Sequence, residues 1–322
     1  MATLPYYPGC TLNTVAKSFD VSARQSLRLL GIELTELAQW NCCGASFPLT
    51  PNNVIGLTGP TNVLVQSQKA GGTVSTLCSF CYNTLKRTNL VLKTEADRRA
   101  VLHDFLGVAY DGSVQVLHLL EVIRDLIGFA ELKRRATRDL KKLKVAAYYG
   151  CTLLRPKSVA IEGTDSPRIF EDFLEAIGCT AVEFPNRGEC CGSHLAMSNE
   201  DIVVRLSGAV LASAHAFGAE LITTTCPLCF FNLERSQKHR GTVRGPVGLP
   251  GTRCIPKSNG CPAGDRGCPP SGATLPILYF TQLLGLALGV PETELGLHDN
   301  LIDPRPVLRA KRILREQLVA SS

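Results

Sequence analysis

The sequence predicts an α/β protein made of two pseudo-symmetric cysteine-rich domains, each a mostly parallel sheet flanked by helices. Three observations carry that reading. β-rich apolar runs alternate with segments of helical apolar spacing, the pattern of strands joined by crossover helices. The order of these segments occurs twice along the 322 residues. Each round also carries the same five cysteines. The first set is Cys10, Cys42-Cys43-Gly44 and Cys78-Ser79-Phe80-Cys81; the second is Cys151, Cys190-Cys191-Gly192 and Cys226-Pro227-Leu228-Cys229.

Taken in order, Tyr6-Tyr7-Pro8-Gly9-Cys10 reads as the end of a strand and a turn. Val15 to Leu30 carries apolar residues at helical spacing and is closed by Gly31. Ile32 to Leu37 is a short strand that leads to Trp40-Asn41-Cys42-Cys43-Gly44. A helix is expected from Gly59 to Ala70. Thr73-Val74-Ser75-Thr76-Leu77 is β-rich and delivers Cys78, and from Asn83 the chain is helical again. The second round opens with Lys144 to Tyr148 as a strand and Gly150-Cys151 as its turn. A helix over Pro167 to Ile177 stops at Gly178, and a strand over Thr180 to Pro185 leads to Glu189-Cys190-Cys191-Gly192. A helix over Asp201 to Phe217 and a strand over Glu220 to Thr225 then deliver Cys226. Val116-Leu117-His118-Leu119-Leu120 and Ile277-Leu278-Tyr279-Phe280-Thr281 extend the parallel. The domains are expected at 1–143 and 144–322. The cysteines fall at the C-terminal ends of strands, where open α/β sheets place their sites.

One stretch breaks the symmetry. Residues 238–272 have no counterpart in the first half, are dense in Gly and Pro, and hold Cys254, Cys261 and Cys268 at seven-residue intervals. A loop of this length is either functional or disordered. That interval suits neither a zinc ribbon nor a ferredoxin run, so the reading is an insertion, with a metal or redox role as the alternative.

Length and charge narrow the function. A chain this long buries a full core without disulfide staples, so fourteen cysteines point to chemistry. The formal net charge of +6 is spread along the chain. Its densest run, Lys133-Arg134-Arg135 with Lys141, Lys142 and Lys144, lacks the aromatic residues and motifs of a nucleic-acid surface. No leader peptide is evident. Leu275 to Val290 is short for a bilayer span of about 20 residues and reads as a buried helix. The expected location is the cytoplasm, where dense paired thiols argue for metal or redox work.

Structural zinc takes four ligands, usually from two knuckles. Here each set has five thiolates, two of them adjacent. Neighbouring side chains on an extended strand point apart, so both reach one object only if it is large or the backbone bends. Gly44 and Gly192 supply that freedom. Soft thiolates select zinc or iron–sulfur clusters over hard cations. A simple dithiol exchange site would not need three further matched cysteines.

The pattern Cys-x31-Cys-Cys-Gly-x33-Cys-x-x-Cys, repeated with x38 in place of x31, resembles the cysteine-rich CCG domain. Two such domains with no fused ferredoxin segment resemble the B subunit of heterodisulfide reductase. Tyr149-Gly150-Cys151-Thr152, Cys190 to Leu195, Cys226 to Cys229 and Leu278 to Gly285 share in the resemblance, which covers nearly the whole chain. It implies two noncubane 4Fe–4S clusters, the first held by Cys10, Cys42, Cys43, Cys78 and Cys81, the second by Cys151, Cys190, Cys191, Cys226 and Cys229. It further implies an oxidoreductase subunit that cleaves, or in reverse forms, a small disulfide between the clusters. Its partners would be the other two members of a heterodisulfide reductase complex, a ferredoxin-like iron–sulfur protein (the C subunit type) and a flavoprotein (the A subunit type). The insertion at 238–272 departs from the pattern.

His194, three residues after Cys191, is the candidate proton donor to a leaving thiolate; Ser46 stands at the matching place. Arg155 and Lys157 follow Cys151 and are candidates to attract an anionic thiol substrate. His118 reads as structural and Cys179 as a small buried hydrophobe. Two other functions compete: an electron-relay subunit of a succinate:quinone reductase-type complex, and a non-catalytic zinc-binding assembly protein.

Overall fold

Strands buried on both faces read as continuous apolar runs, and parallel sheets need such strands. Val145 to Tyr148 and Leu221 to Thr224 are buried at every position. The computed structural model describes residues 1–45, 53–239 and 274–314. It contains two four-stranded sheets with every pairing parallel. The first holds β1 (Ala2–Tyr6), β2 (Ile32–Glu36), β3 (Thr73–Thr76) and β4 (Gln115–His118), in the order β2-β1-β3-β4. The second holds β5 (Lys144–Tyr148), β6 (Thr180–Val182), β7 (Leu221–Thr224) and β8 (Ile277–Tyr279), in the order β6-β5-β7-β8. The registers correspond as well: Tyr6 faces Ser75, and Ala147 faces Thr223.

In such a sheet the chain leaves the first strand in one direction and later returns on its other side. The crevice at this switch point, past the C-terminal ends of the two central strands, is the natural ligand site. Those ends are β1 and β3 in one half, β5 and β7 in the other. Cys10, Cys78, Cys151 and Cys226 follow them directly.

The helices match the sequence reading closely. They span Lys17–Leu29, Thr58–Lys69 and Ser79–Thr94 in the first half, and Ile169–Ala176 and Glu200–Ala216 in the second; helix Pro227–His239, not read from the sequence, stands where Ser79–Thr94 stands in the first half. An additional helix, Ala96–Leu106, was not legible: its residues are mostly exposed, so no strong apolar stripe marks it. The stretch from Leu275 to Val290, expected as one buried helix, divides: Ile277–Tyr279 pairs with β7 as β8, and the helix begins at Phe280 and runs to Leu288, buried at every residue. It packs on helix Lys17–Leu29 of the other half, where the Ser22 and Thr281 hydroxyls meet at 2.7 Å. Its four leucines contribute roughly 1.5–3 kcal/mol each. No described helix is long and apolar enough to cross a membrane.

Candidate functional site

Each thiol set gathers at the C-terminal end of its sheet, delivered by three successive strand ends. In the first half the Sγ atoms of Cys10 and Cys42 lie 3.4 Å apart in exposed positions, and those of Cys43 and Cys81 lie 3.6 Å apart in buried ones. In the second, Cys191 and Cys229 are 3.4 Å apart and buried, with the half-buried Cys151 and Cys190 beside them. Among the described residues no three His, Cys, Asp or Glu side chains converge as a single bound ion requires. The thiols instead touch one another in series, Cys43 meeting both Cys42 and Cys81 and Cys229 meeting both Cys191 and Cys226.

The backbone around both sets is braced in the same way. Tyr7 Oη donates to the carbonyl of Asn41 at 2.9 Å, and Tyr148 Oη to that of Glu189 at 2.7 Å. Each tyrosine thus fixes the peptide just before its Cys-Cys pair. Gly44 and Gly192 then turn the chain with φ of 83° and 85°, a conformation that costs other residues about 1–2 kcal/mol. Gly9 and Gly150 also have positive φ. A Cβ on Gly9 would lie 2.8 Å from Cys81 Sγ, and one on Gly150 would lie 3.2 Å from Cys229 Sγ. Cys81 and Cys229 sit in the first turns of their helices, whose N-terminal dipoles favour thiolates, but contact with Cys43 and with Cys191 outweighs the dipole and holds both thiols high.

Crowding of this kind divides the thiols. The Cys43 thiol holds its neighbour Cys42 high, while contact with Cys42 and Cys81 holds Cys43 low. Contact with Cys190 raises Cys151, and contact with Cys151 lowers Cys190. One proton is shared between two sulfurs, so a set this tight ionises fully only around a central positive charge. Ser193 Oγ, two residues past Cys191, is buried with no hydrogen-bond partner among the described residues. An acceptor beside the thiols would satisfy it. Both features fit a metal–sulfur group, and five thiols in one set exceed the four that a lone zinc ion takes.

The two sets abut. The thiol of Cys226 is the main influence that lowers Cys78, across the boundary between the halves. Beside this contact, Ser79 N donates to the Thr225 carbonyl at 3.2 Å and the two hydroxyls touch. The mirror of that bond cannot form, because Pro227 has no N–H. The carbonyl that Pro227 would meet, Leu77, instead takes the Nε2 hydrogen of His118 at 2.9 Å. His118 Nδ1 accepts from Leu120 N at 3.2 Å, which fixes the tautomer. Asn83 adds a second link, donating to the carbonyls of Thr152 and Arg155 at 2.8 and 2.7 Å.

His194 is exposed, and its ring lies 5.4 Å from the ring of Phe80, inside the Cys-x-x-Cys of the other half. It lowers Cys190, after the stronger effects of Cys151, burial and the Gly192 N–H. The structure therefore places it where the sets meet. Lys157 is paired with Asp165 at 2.8 Å, and Arg155 lies 3.9 Å from Glu189. Neither basic residue is turned solely towards a substrate. Cys179 is buried away from both sets and pushed up to about 12 by burial. Ser46, Cys254, Cys261 and Cys268 lie outside the described residues. Sequence reasoning missed the tyrosine braces, Asn232 and Ser193. The doubled Tyr7 and Tyr148, each three residues before a set's first cysteine, were the available signal.

Two doubly wound sheets with matched thiol sets at their switch points define a tandem cysteine-rich domain protein. Comparison with known proteins agrees. The model of the CCG cysteine-rich domain matches residues 4–86 and 145–234. The chain is 32% identical to the 8-methylmenaquinol:fumarate reductase membrane anchor subunit of Wolinella succinogenes, over 92% of this chain and 96% of that one. It is 28% identical to the B subunit of the ferredoxin/F420H2-dependent CoB-CoM heterodisulfide reductase of Methanosarcina acetivorans, over 94% of each. An Archaeoglobus profundus protein described as like the heterodisulfide reductase B subunit is 24% identical over 96% of this chain. A crystal structure of a hypothetical protein from Helicobacter pylori shares the fold, with a TM-score of 0.68 at 13% identity; this chain spans 51% of its length. The chain belongs to the CCG cysteine-rich domain family, in the tandem form of the heterodisulfide reductase B subunit.

Proposed function

We propose that the protein is the disulfide-reducing subunit of a heterodisulfide-reductase-like complex, with one noncubane 4Fe–4S cluster in each thiol set. The observation that carries this reading is the abutment of two matched five-thiol sets, whose Cys-x-x-Cys segments meet at Ser79 and Thr225. Cleaving a disulfide takes two electrons and two protons and gives two thiols. Two adjacent one-electron centres meet the electron demand. Bound clusters would supply single electrons and iron sites with affinity for sulfur. The chain's own residues do the rest. Cys10, Cys42, Cys43, Cys78 and Cys81 hold one cluster, and Cys151, Cys190, Cys191, Cys226 and Cys229 the other. Asn83 fixes the turn that carries Cys151. His194 Nε2 or Nδ1 gives a proton to the departing thiolate. Electrons come from a ferredoxin-like iron–sulfur partner, itself supplied by a flavoprotein, in the cytoplasm.

The similarity to the Wolinella fumarate reductase subunit favours a second reading, the electron-relay subunit of a succinate:quinone reductase-type complex that exchanges electrons with a quinol. The two readings separate in one experiment. Protein purified without oxygen should carry about eight irons with acid-labile sulfide. Under reduced viologen it should reduce small disulfides. Iron-loaded protein that is inert to disulfides but exchanges electrons with quinols would establish the relay. Stoichiometric zinc without sulfide would sink both. Replacing Cys254, Cys261 and Cys268 together by Ser should leave the iron unchanged, since the two five-thiol sets are complete without them.

A further inference from the structure

Cys191 has an amide donor that its counterpart Cys43 lacks; the Tyr7 hydroxyl stands beside Cys43 but gives its hydrogen to the Asn41 carbonyl at 2.9 Å. Asn232 lies three residues past Cys229 on helix Pro227–His239, and its Nδ2 donates to Cys191 Sγ at 3.6 Å. Both residues are buried, at 3% and 1% exposure. Three residues past Cys81 stands Thr84, which has no amide to donate. The hydroxyl of Ser193 adds a second difference, since Ala45 occupies its place in the first half. The backbone donors do not differ: Gly192 and Ser193 serve the second set as Gly44 and Ala45 serve the first.

We infer that Asn232 is a positioning residue that holds the second cluster at a higher reduction potential than the first, so that it takes the first electron. The inference rests on the cluster reading above. Reduction adds negative charge that spreads onto the ligand sulfurs, so an N–H aimed at one of them stabilises the reduced form more than the oxidised form. Two charges on the neighbouring helices act the other way. Lys86 occupies the first-half position that Glu234 occupies in the second. Each has its own partners, however. Lys86 lies beside Glu121 and bonds Tyr82 Oη at 2.8 Å. Glu234 accepts from the N–H groups of Leu301 and Ile302 at 2.9 and 3.2 Å. Compensated charges one turn away act less than a donor in contact with the ligand.

The test is an electron paramagnetic resonance redox titration of the iron-loaded full chain, with iron and sulfide measured first. The wild type should show two midpoints. Asn232→Leu, close to Asn in volume, should lower the upper midpoint and leave the lower one in place. A hydrogen bond to a charged group supports roughly a tenfold change in the reduced-to-oxidised ratio, which is about 59 mV for one electron. Thr84→Asn should raise the lower midpoint and narrow the gap. Two unchanged midpoints in both variants, or a shift of the lower one in Asn232→Leu, overturns the inference. If Asn232→Leu loses iron, Thr84→Asn decides: a raised lower midpoint supports the inference and an unmoved one overturns it. The titration uses no substrate, so unchanged midpoints with iron in place leave the disulfide reading standing. A wild type without iron overturns both.

Discussion

The two halves place the same five thiols on the same four-stranded sheet, yet they brace them differently. In the first half Tyr6 Oη donates to Asp20 at 2.7 Å and Arg24 Nε joins it at 2.8 Å, in a cluster that water reaches. In the second, Tyr149 Oη and Arg187 Nη1 both reach Glu171 at 2.5 Å, and the Glu171 side chain is fully buried. Arg187 also accepts the N–H groups of Tyr149 and Gly150 on its carbonyl, tying the loop before Cys190 to the turn before Cys151. After Gly44 the first half continues through Ala45 at φ 58°, while the second enters a short helical turn, Ser193–Leu195. The thiol positions are thus held in common, and the surroundings carry the individuality of each site. Surroundings tune a cluster's potential and proton access without altering how it is held.

The largest expected effect tests what the halves share. Gly9→Ala forces a Cβ to 2.8 Å from Cys81 Sγ at a backbone angle that only glycine adopts cheaply. Cys81 cannot yield without leaving its set. The variant should lose about half of its iron, the first cluster's share. Gly150→Ala meets Cys229 Sγ at 3.2 Å, a clearance that a small shift relieves, and should keep more iron than Gly9→Ala. Equal iron in both variants would mean that the close approach of glycine to sulfur does not shape the sites.

The next effect tests how they differ. Glu171→Gln leaves the Arg187 guanidinium, 19% exposed, without its buried partner. Removing one member of a buried ion pair costs about 3–5 kcal/mol. Asp20→Asn breaks the corresponding cluster where solvent still reaches Arg24, and should cost about 1 kcal/mol. Denaturant midpoints of the two variants measure this directly. Similar losses would show that the second brace is no stronger than the first.

Much of this was legible in the sequence because parallel strands and their cysteines leave strong marks. Six of the eight strands, most of the flanking helices and the two thiol sets follow from apolar runs, glycine stops and a spacing of thirty-four residues shared by Cys43–Cys78 and Cys191–Cys226, while β4 and β8 show only as a repeated apolar segment. What stayed hidden depends on where helices turn their faces. Nothing in the order of residues says that Asn232 meets Cys191, or that Ser79 crosses to Thr225, because both contacts follow from packing after the chain has folded. The surroundings of Lys157 stayed hidden for a similar reason. Its position after Cys151 was visible, but its pairing with Asp165 was not.

The smallest effect concerns proton supply at the junction. His194 follows the second Cys-Cys pair and lies against Phe80, so it belongs to the mouth between the sets and not to one of them. A disulfide cleaved there leaves a thiolate that needs a proton, and a general acid in reach speeds that step by about 10²–10⁴ at most. His194 is exposed, so water competes for the same task, and the expected loss in His194→Ala is roughly tenfold in steady-state disulfide reduction. Ser46→Ala, at the matching place in the first half, should change the rate little. Iron content in both variants must equal that of the wild type, so that a slower rate is not a lost cluster. Asparagine at 194 keeps a hydrogen-bonding side chain but cannot serve as a general acid. It should therefore remain as slow as alanine if proton transfer is the role, and recover the rate if His194 only orders the loop. A recovered rate in His194→Asn, or equal rates in the two alanine variants, would assign the histidine to structure and leave the difference between the halves to their potentials alone.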